Sequence, residues 1–267
     1  MIDTVVVKFQ TEPTEENLPH GWAKSTHTDL ERGEVREKYI RNVDPFKATY
    51  YPIDHKGRPL LTIEFSLPKV LYGVNWPMLA DIGAAVTKAD EMLAADPGFP
   101  PLPSAGGAEI VRLDACYNHQ VGDSLHGYLQ ALSRLEYRAR QTVPFLGTGV
   151  EYRCLSGKTK FYDKRRETVE LYKTDLAAWA PPGTLRQETT FRHTRDVTQA
   201  LRWVGRPTLN ALQPTNVLDI LYRDLQHLGI LDCRFATREV ALQILCGEYG
   251  NNKGIPSTVP CARSRTA

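Results

Sequence analysis

Three carboxylates are predicted to lie inside β-strands, where a purely structural sheet needs no charge: Glu64, Asp114 and Glu188. Because side chains two residues apart point to the same face of a strand, Arg112 shares a face with Asp114, and Arg186 with Glu188. Carboxylates gathered on one face repel each other unless a cation neutralises them, and their hard oxygen ligands suit Mg²⁺ or Mn²⁺. The pattern therefore indicates a metal site. The alternative is a plain structural ion pair between each carboxylate and its neighbouring arginine.

One tyrosine, Tyr162, stands at the end of a predicted strand among basic residues. A tyrosine can attack a phosphodiester when a nearby cation or metal favours its phenolate. Lys164, two residues later, is suited to that role, or to neutralising the pentacovalent phosphate. A strand tyrosine is more often an amphipathic residue at the edge of a core, and the chain contains 12 tyrosines. Composition leaves four others open as nucleophile: Tyr72, Tyr117, Tyr152 and Tyr172.

Several motifs that would indicate other chemistry are absent from the sequence. There is no glycine-rich phosphate loop and no GxSxG elbow. None of the 7 histidines forms a His-x-His pair, and His119, which follows the strand of Asp114, is expected at the surface. The 5 cysteines form no CxxC unit, which argues against a zinc site and against a secreted disulfide framework.

Positive charge is concentrated in one part of a chain whose formal net charge is only +2. Residues 151–206 contain twelve Lys or Arg against seven Asp or Glu, including the run Lys164-Arg165-Arg166. A local basic stripe can bind phosphates even when the whole chain is nearly neutral. An ordinary solvated surface is the alternative reading of this feature.

No stretch of the sequence has the roughly 20 apolar residues needed to span a bilayer. The N-terminus runs straight into an alternating strand pattern and shows no secretory signal. We therefore expect a soluble intracellular protein with no membrane partner.

The predicted elements make an α+β fold, with a mainly antiparallel sheet and helices packed on one face. Strands are predicted at 4–9, 60–67, 109–117, 149–155, 159–163 and 184–193, with 50–54 and 60–67 forming a hairpin. Helices are predicted at 77–93, 124–139 and 164–173, then near 197–205, 215–229 and 236–248. Residues 12–48 are predicted to be a long irregular excursion with at most one short helix. We expect a catalytic domain over 1–195, a helical appendage over 196–250 and a disordered tail over 251–267.

Five motifs occur in the order found in one family. They are the opening Met1–Val7, the stretch Ile63–Asn75 with its strand Glu, Pro-Lys, Gly and Asn, the strand Arg112–Ala115, the element Tyr162-Asp163-Lys164, and Arg186-Gln187-Glu188. Together they resemble the replication initiators of filamentous phages, the gene II/X type, and they cover about residues 1–193. A similar Arg-x-Asp, Tyr-x-Lys and Arg-x-Glu series appears in plasmid initiators of the Rep_trans type. The region after Glu188 is short for the phage family.

The resemblance implies a Rep/RRM-like nickase core that starts rolling-circle replication. Such a protein would bind double- and single-stranded DNA at a phage or plasmid origin and nick one strand with Mg²⁺ or Mn²⁺. It would hold the 5′ end on Tyr162, with Lys164 assisting and Glu64, Asp114 and Glu188 holding the metal. Basic residues expected to contact DNA are Lys69, Arg112, Lys158, Lys160, Arg165, Arg166 and Arg186. Helicase and polymerase of the bacterial host would extend the 3′ end, which places the protein in the host cytoplasm.

Two other functions remain compatible with the sequence. One is a non-catalytic DNA-binding regulator of phage replication, although the chain keeps the N-terminal strands with Glu64 and Asp114. The other is an unrelated enzyme with a metal-bearing α+β sheet, such as a nucleotidyl transferase, which would need a nucleotide-binding signature that the sequence lacks. An Mg²⁺-dependent protein–DNA adduct that survives SDS would distinguish nicking from both.

Overall fold

The computed structural model describes residues 2–9, 18–29, 34–54, 57–145 and 147–229. Within these ranges the chain forms ten strands: β1 (Ile2–Phe9), β2 (Ala23–Asp29), β3 (Glu34–Val43), β4 (Phe46–Tyr51), β5 (Leu60–Ser66), β6 (Glu109–Gln120), β7 (Gln141–Phe145), β8 (Gly149–Arg153), β9 (Gly157–Asp163) and β10 (Thr184–Phe191). The same ranges contain six α-helices: α1 (Leu67–Tyr72), α2 (Ile82–Ala95), α3 (Leu125–Ser133), α4 (Lys164–Leu171), α5 (Thr194–Leu201) and α6 (Pro214–His227). None of these helices is both long enough and apolar enough to cross a bilayer.

The strands hydrogen-bond in one sheet, in the order β2-β3-β4-β5-β1-β6-β10-β9-β8-β7. β1 runs antiparallel to both of its neighbours, β5 and β6. The series from β2 to β5 and from β7 to β9 are antiparallel hairpins as well. The predicted fold class, an α+β fold with a mainly antiparallel sheet, is therefore confirmed.

The chain divides into two compact units that interleave along the sequence. Among the described residues, the first unit contains those within 1–117 and 189–220, and the second contains those within 118–188 and 221–229. The predicted boundary at residue 195 separates a catalytic domain from a helical appendage. It was drawn from expected activity, and it stays a prediction. The predicted helix near 236–248 and the tail over 251–267 lie outside the described residues.

One face of the sheet in the first unit forms the core of that unit. Burial along β1 alternates with a period of two residues, as expected for a strand with one covered face. The side chains on the covered face are Val5, Val7, Phe9, Leu61, Ile63 and Phe65. Helix α1 contacts β1 and β5 and packs against α2. Burying each large apolar side chain stabilises the fold by about 1.5–3 kcal/mol, and the alternation leaves Glu64 on the opposite face.

The prediction of an irregular excursion over residues 12–48 is wrong in the described part of that segment. The structure has β2 and β3 there, followed by the start of β4. Most side chains of β2 are exposed, and β2 is at the edge of the sheet. A polar edge strand shows no alternation of apolar and polar residues, so periodicity alone misses it.

The guanidinium of Arg41 links β3 to the loop that follows α2. Both carboxylate oxygens of Asp96 accept hydrogen bonds from Nη2 of Arg41, at 2.8 and 2.9 Å. The Arg41 guanidinium also lies 5.4 Å from the ring centroid of Phe99. The hydrogen bonds from Arg41 lower the pKa of Asp96 from its ordinary value of 3.8. Because the folded carboxyl binds its proton less readily, its contribution to stability is present above pH 3.8 and is lost as the pH falls through the lower folded pKa.

We expect Asp96→Asn to lower the free energy of unfolding by about 1–2 kcal/mol at pH 7, since a charge-assisted pair is lost. The difference from wild type should shrink as the pH falls below 3.8, where the unfolded carboxyl begins to bind a proton, and should vanish below the lower folded pKa, where the carboxyl is neutral in both states. Urea denaturation at pH 7 and at a series of acid pH values measures both effects. Glu91→Gln is the control, because its ion pair with Lys88 is exposed and should contribute almost nothing. A deficit in Asp96→Asn that persists unchanged in acid would contradict the assignment.

Two predicted helices are shorter than expected, and one helix was not predicted. α2 begins at Ile82 rather than Pro77, because the Asp81 side chain accepts a hydrogen bond from the Ala84 amide and caps the helix there. α3 ends at Ser133, and the chain then forms β7, which periodicity did not reveal. Pro68 was predicted only to end a strand. It lies in the first turn of α1, where its missing amide hydrogen costs nothing.

The second unit is built around a separate apolar core. Tyr128, Leu129 and Leu132 of α3 pack against Val150, Tyr152, Phe161 and Leu185 of the strands and against Leu225 of α6. The buried carboxylate of Asp224 links helix α6 to other parts of this unit. It accepts hydrogen bonds from the Tyr137 hydroxyl at 2.6 Å and the Thr159 hydroxyl at 3.1 Å. Its two oxygens are thereby satisfied, as a buried charge requires.

Two glycine backbones meet closely in the second unit. Gly183 has φ +69°, and a Cβ there would lie 2.4 Å from the Cα of Gly122. The Gly183 carbonyl also accepts a hydrogen bond from the Val121 amide at 2.9 Å. The contact therefore requires both a left-handed backbone and the absence of a side chain.

We expect Gly183→Ala to lower the free energy of unfolding by about 2–5 kcal/mol, because backbone strain and overpacking add. Gly107→Ala is the control, since nothing lies within 4 Å of a Cβ there. Urea denaturation of both variants gives the comparison. Equal stability of Gly183→Ala and wild type would show that this close approach does not exist in solution.

Candidate functional site

A carboxylate cluster (Glu64, Arg112 and Asp114) lies on the open face of the sheet in the first unit. Glu64 of β5 is opposite Val6 of β1, and Val6 is opposite Arg112 of β6, so these residues form one row on one face. Arg112 Nη1 donates to Glu64 at 3.3 Å, while Nε and Nη2 donate to the two oxygens of Asp114 at 3.1 and 2.6 Å. Arg112 and Asp114 therefore point the same way, as predicted. Arg112 was predicted to contact DNA, and in this structure its guanidinium bridges the two carboxylates.

The donor atoms of this cluster fit a hard divalent cation. Glu64 and Asp114 supply carboxylate oxygens, and Mg²⁺ is commonly held by one or two carboxylates together with water or phosphate oxygens. Throughout the described ranges, no three His, Cys, Asp or Glu residues come together as a metal-binding group. A metal at Glu64 and Asp114 would thus complete its ligand shell from solvent or substrate, and it would compete with Arg112 for the carboxylate oxygens.

A tyrosine cluster (Lys158, Lys160, Tyr162, Lys164 and Glu188) lies in the second unit. The Tyr162 hydroxyl donates a hydrogen bond to Glu188 Oε2 at 3.0 Å. Lys160 Nζ lies 3.8 Å from Glu188 Oε1, and Lys164 Nζ lies 5.8 Å from the Tyr162 ring centroid. The structure thus brings together the predicted nucleophile, the predicted assisting lysine and one predicted metal ligand.

The Glu188 carboxyl lies among cations and is only 9% exposed. Burial by itself would raise the pKa of Glu188, but the charges of Lys160, Arg186 and Lys164 and the hydrogen bond from Tyr162 hold that pKa below its ordinary value. The lowered pKa favours the charged carboxylate, which accepts hydrogen bonds well but takes up a proton less readily than an unperturbed glutamate. Its partners in the tyrosine cluster are a phenol and an ammonium group.

Lys164 is 0% exposed and begins helix α4 directly after the Asp163 N-cap. Its ammonium group is ion-paired with Glu167 one turn later. The Asp163 side chain accepts from the Arg166 amide at 3.0 Å, which fixes the start of the helix. The sequence thus positions a buried cation two residues from Tyr162.

The remaining basic residues predicted to contact DNA occupy different environments. Arg165 donates to the Ala180 carbonyl at 3.0 Å and lies over the Trp179 ring, which indicates a packing role. Arg166 is exposed and pairs with Glu170 at 3.3 Å. Arg186 is fully buried. Lys69, in the first unit, is ion-paired with Asp44.

One of the other tyrosines open as nucleophile is excluded by its surroundings. Tyr152 is 0% exposed, its hydroxyl donates to the Leu132 carbonyl, and burial raises its pKa. His119 was predicted to lie at the surface, but it is buried, with Nε2 3.4 Å from the Gln187 side-chain oxygen. That prediction is wrong: β6 continues to Gln120, so His119 is a buried residue within the strand and does not follow it.

No family model matches the sequence. No curated protein matches it either.

Two residues beside Tyr162 were not singled out from the sequence. Gly149 of β8 is directly opposite Tyr162, and a Cβ on Gly149 would lie 3.0 Å from the Tyr162 Cβ. Glu151, directly opposite Lys160, is buried and lies 3.6 Å from Lys158 Nζ. The signal for Glu151 in the sequence was a charged residue inside the strand Gly149–Arg153. A strand that simply alternates apolar and polar side chains shows the same pattern, so the sequence does not distinguish the two cases.

Proposed function

We propose that this chain is a rolling-circle replication initiator that nicks and rejoins DNA, with Tyr162 as the nucleophile. The observation that carries the proposal is the 3.0 Å hydrogen bond from the Tyr162 hydroxyl to the buried Glu188 carboxyl, with Lys160 beside it. A phenol is a weak nucleophile until its proton is removed, and a carboxylate in direct contact can accept that proton.

The forward step transfers the phosphoryl group from the 3′ oxygen of the DNA to the phenolic oxygen of Tyr162. The O–H bond of Tyr162 breaks and its proton passes to Glu188 Oε2. The phenolic oxygen forms a bond to the scissile phosphorus, and the bond from phosphorus to the 3′ oxygen breaks, leaving a 3′ hydroxyl that takes a proton from water. Lys164, whose ammonium group lies beside the Tyr162 ring, offsets the charge that develops on the phosphate oxygens. The reverse step rejoins the strand without loss of bond energy.

We assign the metal to the carboxylate cluster, with Glu64 and Asp114 as its protein ligands. Mg²⁺ or Mn²⁺ would there neutralise and orient phosphate oxygens of bound DNA. Glu188 was predicted as a third ligand. Its contacts with Tyr162 and Lys160 favour the role of proton acceptor instead.

The order of the five motifs supports the choice of substrate and partners. Their likeness to phage and plasmid initiators favours an origin, first double-stranded and then single-stranded, as the DNA. It also favours action in the bacterial cytoplasm with the host helicase and polymerase.

A non-catalytic DNA-binding regulator is the second candidate. The observation that favours it is Arg112, which already donates hydrogen bonds to both Glu64 and Asp114. A carboxylate pair held by an arginine needs no metal to be stable, and it would leave the sheet face as a binding surface only.

The test uses overlapping, end-labelled single-stranded oligonucleotides that cover the replicon encoding the chain. Each is incubated with the protein and Mg²⁺ and is run on a denaturing SDS gel. A cleaved product and an SDS-resistant adduct on at least one oligonucleotide, both abolished by EDTA, are the expected result. Binding to these oligonucleotides with no cleavage of any of them would instead favour the regulator.

A further inference from the structure

Strand β9 presents a row of three functional side chains on one face. Burial alternates along the strand, so that Thr159 and Phe161 are covered while Lys158, Lys160 and Tyr162 are partly accessible. Neighbours on one face of a strand are about 6.8 Å apart. That spacing is on the scale of the step between successive phosphates of an extended nucleic-acid strand.

The two lysines of this row repel each other. Burial, and after it the charge of Lys160, lowers the pKa of Lys158. The carboxylates that face them are at ion-pair rather than hydrogen-bonding distance, with Glu151 3.6 Å from Lys158 and Glu188 3.8 Å from Lys160. A bound anion between the two ammonium groups would relieve the repulsion, because like charges in a partly buried site are screened poorly by water.

We propose that Lys158 and Lys160 form a subsite for the DNA phosphodiester adjacent to the one that Tyr162 attacks. Which phosphodiester the subsite binds relative to the nicked bond rests on the proposed function. Its ability to bind a phosphate rests on the two lysines alone. Strand β9 then aligns the backbone of a single strand so that the scissile phosphate meets the phenol. The lysines act as positioning residues and contact no base, so the subsite sets the register of the backbone without reading the sequence.

The first experiment measures binding of fluorescent oligothymidylate to the full chain by anisotropy, over a range of salt concentrations. Each phosphate contact to single-stranded DNA contributes about 0.7 to the slope of log affinity against log salt. Lys158→Met and Lys160→Met should each reduce that slope by about 0.7. Lys173→Met, an exposed lysine of the same unit, should leave it unchanged. Slopes of both row variants that equal the wild-type slope would overturn the subsite.

The stability of the same variants separates a binding pair from two structural ion pairs. Lys160 lies directly opposite Glu151 in the register of β8 and β9, so one remaining lysine can neutralise the local carboxylates. We expect the urea midpoints of Lys158→Met and Lys160→Met to equal or exceed that of wild type. A lowered midpoint combined with an unchanged salt slope would show that the lysines serve only the fold.

The second experiment tests the register on an oligonucleotide that the chain nicks. A neutral methylphosphonate replaces the phosphodiester on one side of the nicked bond and then on the other. At one of the two positions the substitution should weaken binding of wild type but not of Lys160→Met. Losses that simply add at both positions would overturn the register. If no oligonucleotide is nicked but the salt slopes fall, the proposed nicking fails while the phosphate subsite stands.

Discussion

Tyr162→Phe is expected to abolish the covalent DNA adduct and to lower the nicking rate by about 10³-fold or more. The nucleophilic oxygen is lost. When residues act together in catalysis, removing any one of them lowers the rate nearly as much as removing all of them. The variant should still bind single-stranded DNA, because the lysines of the tyrosine cluster remain. Its free energy of unfolding should fall by about 1 kcal/mol, since one hydrogen bond to Glu188 is lost. Denaturing gels and urea titrations measure the two effects.

Two other tyrosine variants are the controls for this experiment. Tyr222→Phe changes a half-exposed hydroxyl on α6 and should nick like wild type. Tyr172→Phe tests one of the alternative nucleophiles in the same unit. If Tyr162→Phe cleaves as well as wild type, the nucleophile is another tyrosine or water, and the assignment of Tyr162 fails.

Glu188→Gln is expected to lower the nicking rate by about 10²–10⁴-fold without changing the Mg²⁺ concentration needed for half-maximal rate. Glutamine keeps the shape of the side chain and can still accept a hydrogen bond, but it cannot take a proton from the phenol. The structural reason is that Glu188 contacts Tyr162 and Lys160, both in the tyrosine cluster. Single-turnover nicking rates across an Mg²⁺ titration provide the measurement.

The comparison with Asp114→Asn decides between a proton acceptor and a metal ligand. Asp114 belongs to the carboxylate cluster, so its variant should need more Mg²⁺, and Mn²⁺ should restore part of its rate. If Glu188→Gln shows this metal-dependent behaviour instead, Glu188 binds the cation. The role assigned to it above is then wrong.

The sheet was predictable wherever burial imprints a period of two on the sequence. β1 and β5 each have one covered face, and their apolar residues mark that face. β2 and β7 escaped prediction because they are mostly exposed and carry few apolar residues to mark a face. Helix ends were misplaced for a local reason: the Asp81 cap fixes the start of α2 through one side-chain hydrogen bond, which hydrophobic spacing does not report.

The candidate site was predictable in its residue types and only partly in its contacts. Spacing along one strand correctly placed Asp114 beside Arg112. No spacing rule connects Tyr162 with Glu188, which are 26 residues apart in sequence and meet across neighbouring strands. The contribution of Glu151 and Gly149 depends on the register of β8 against β9, which is set by pairing in three dimensions.

The first turn of α4 opposes the electrostatics that a helix prefers. Lys164, Arg165 and Arg166 bring three cations to the positive end of the helix dipole, where each costs about 0.3–1 kcal/mol. The Asp163 cap and Glu167 in the same turn offset part of that cost. Natural sequences are minimally frustrated, so a conflict of this size tends to persist where another requirement outweighs it. Here that requirement is a cation held beside the Tyr162 ring. Arg166 is the exposed member of the three, so selection for thermal stability alone should replace it first, while the buried Lys164, paired with Glu167, should be kept.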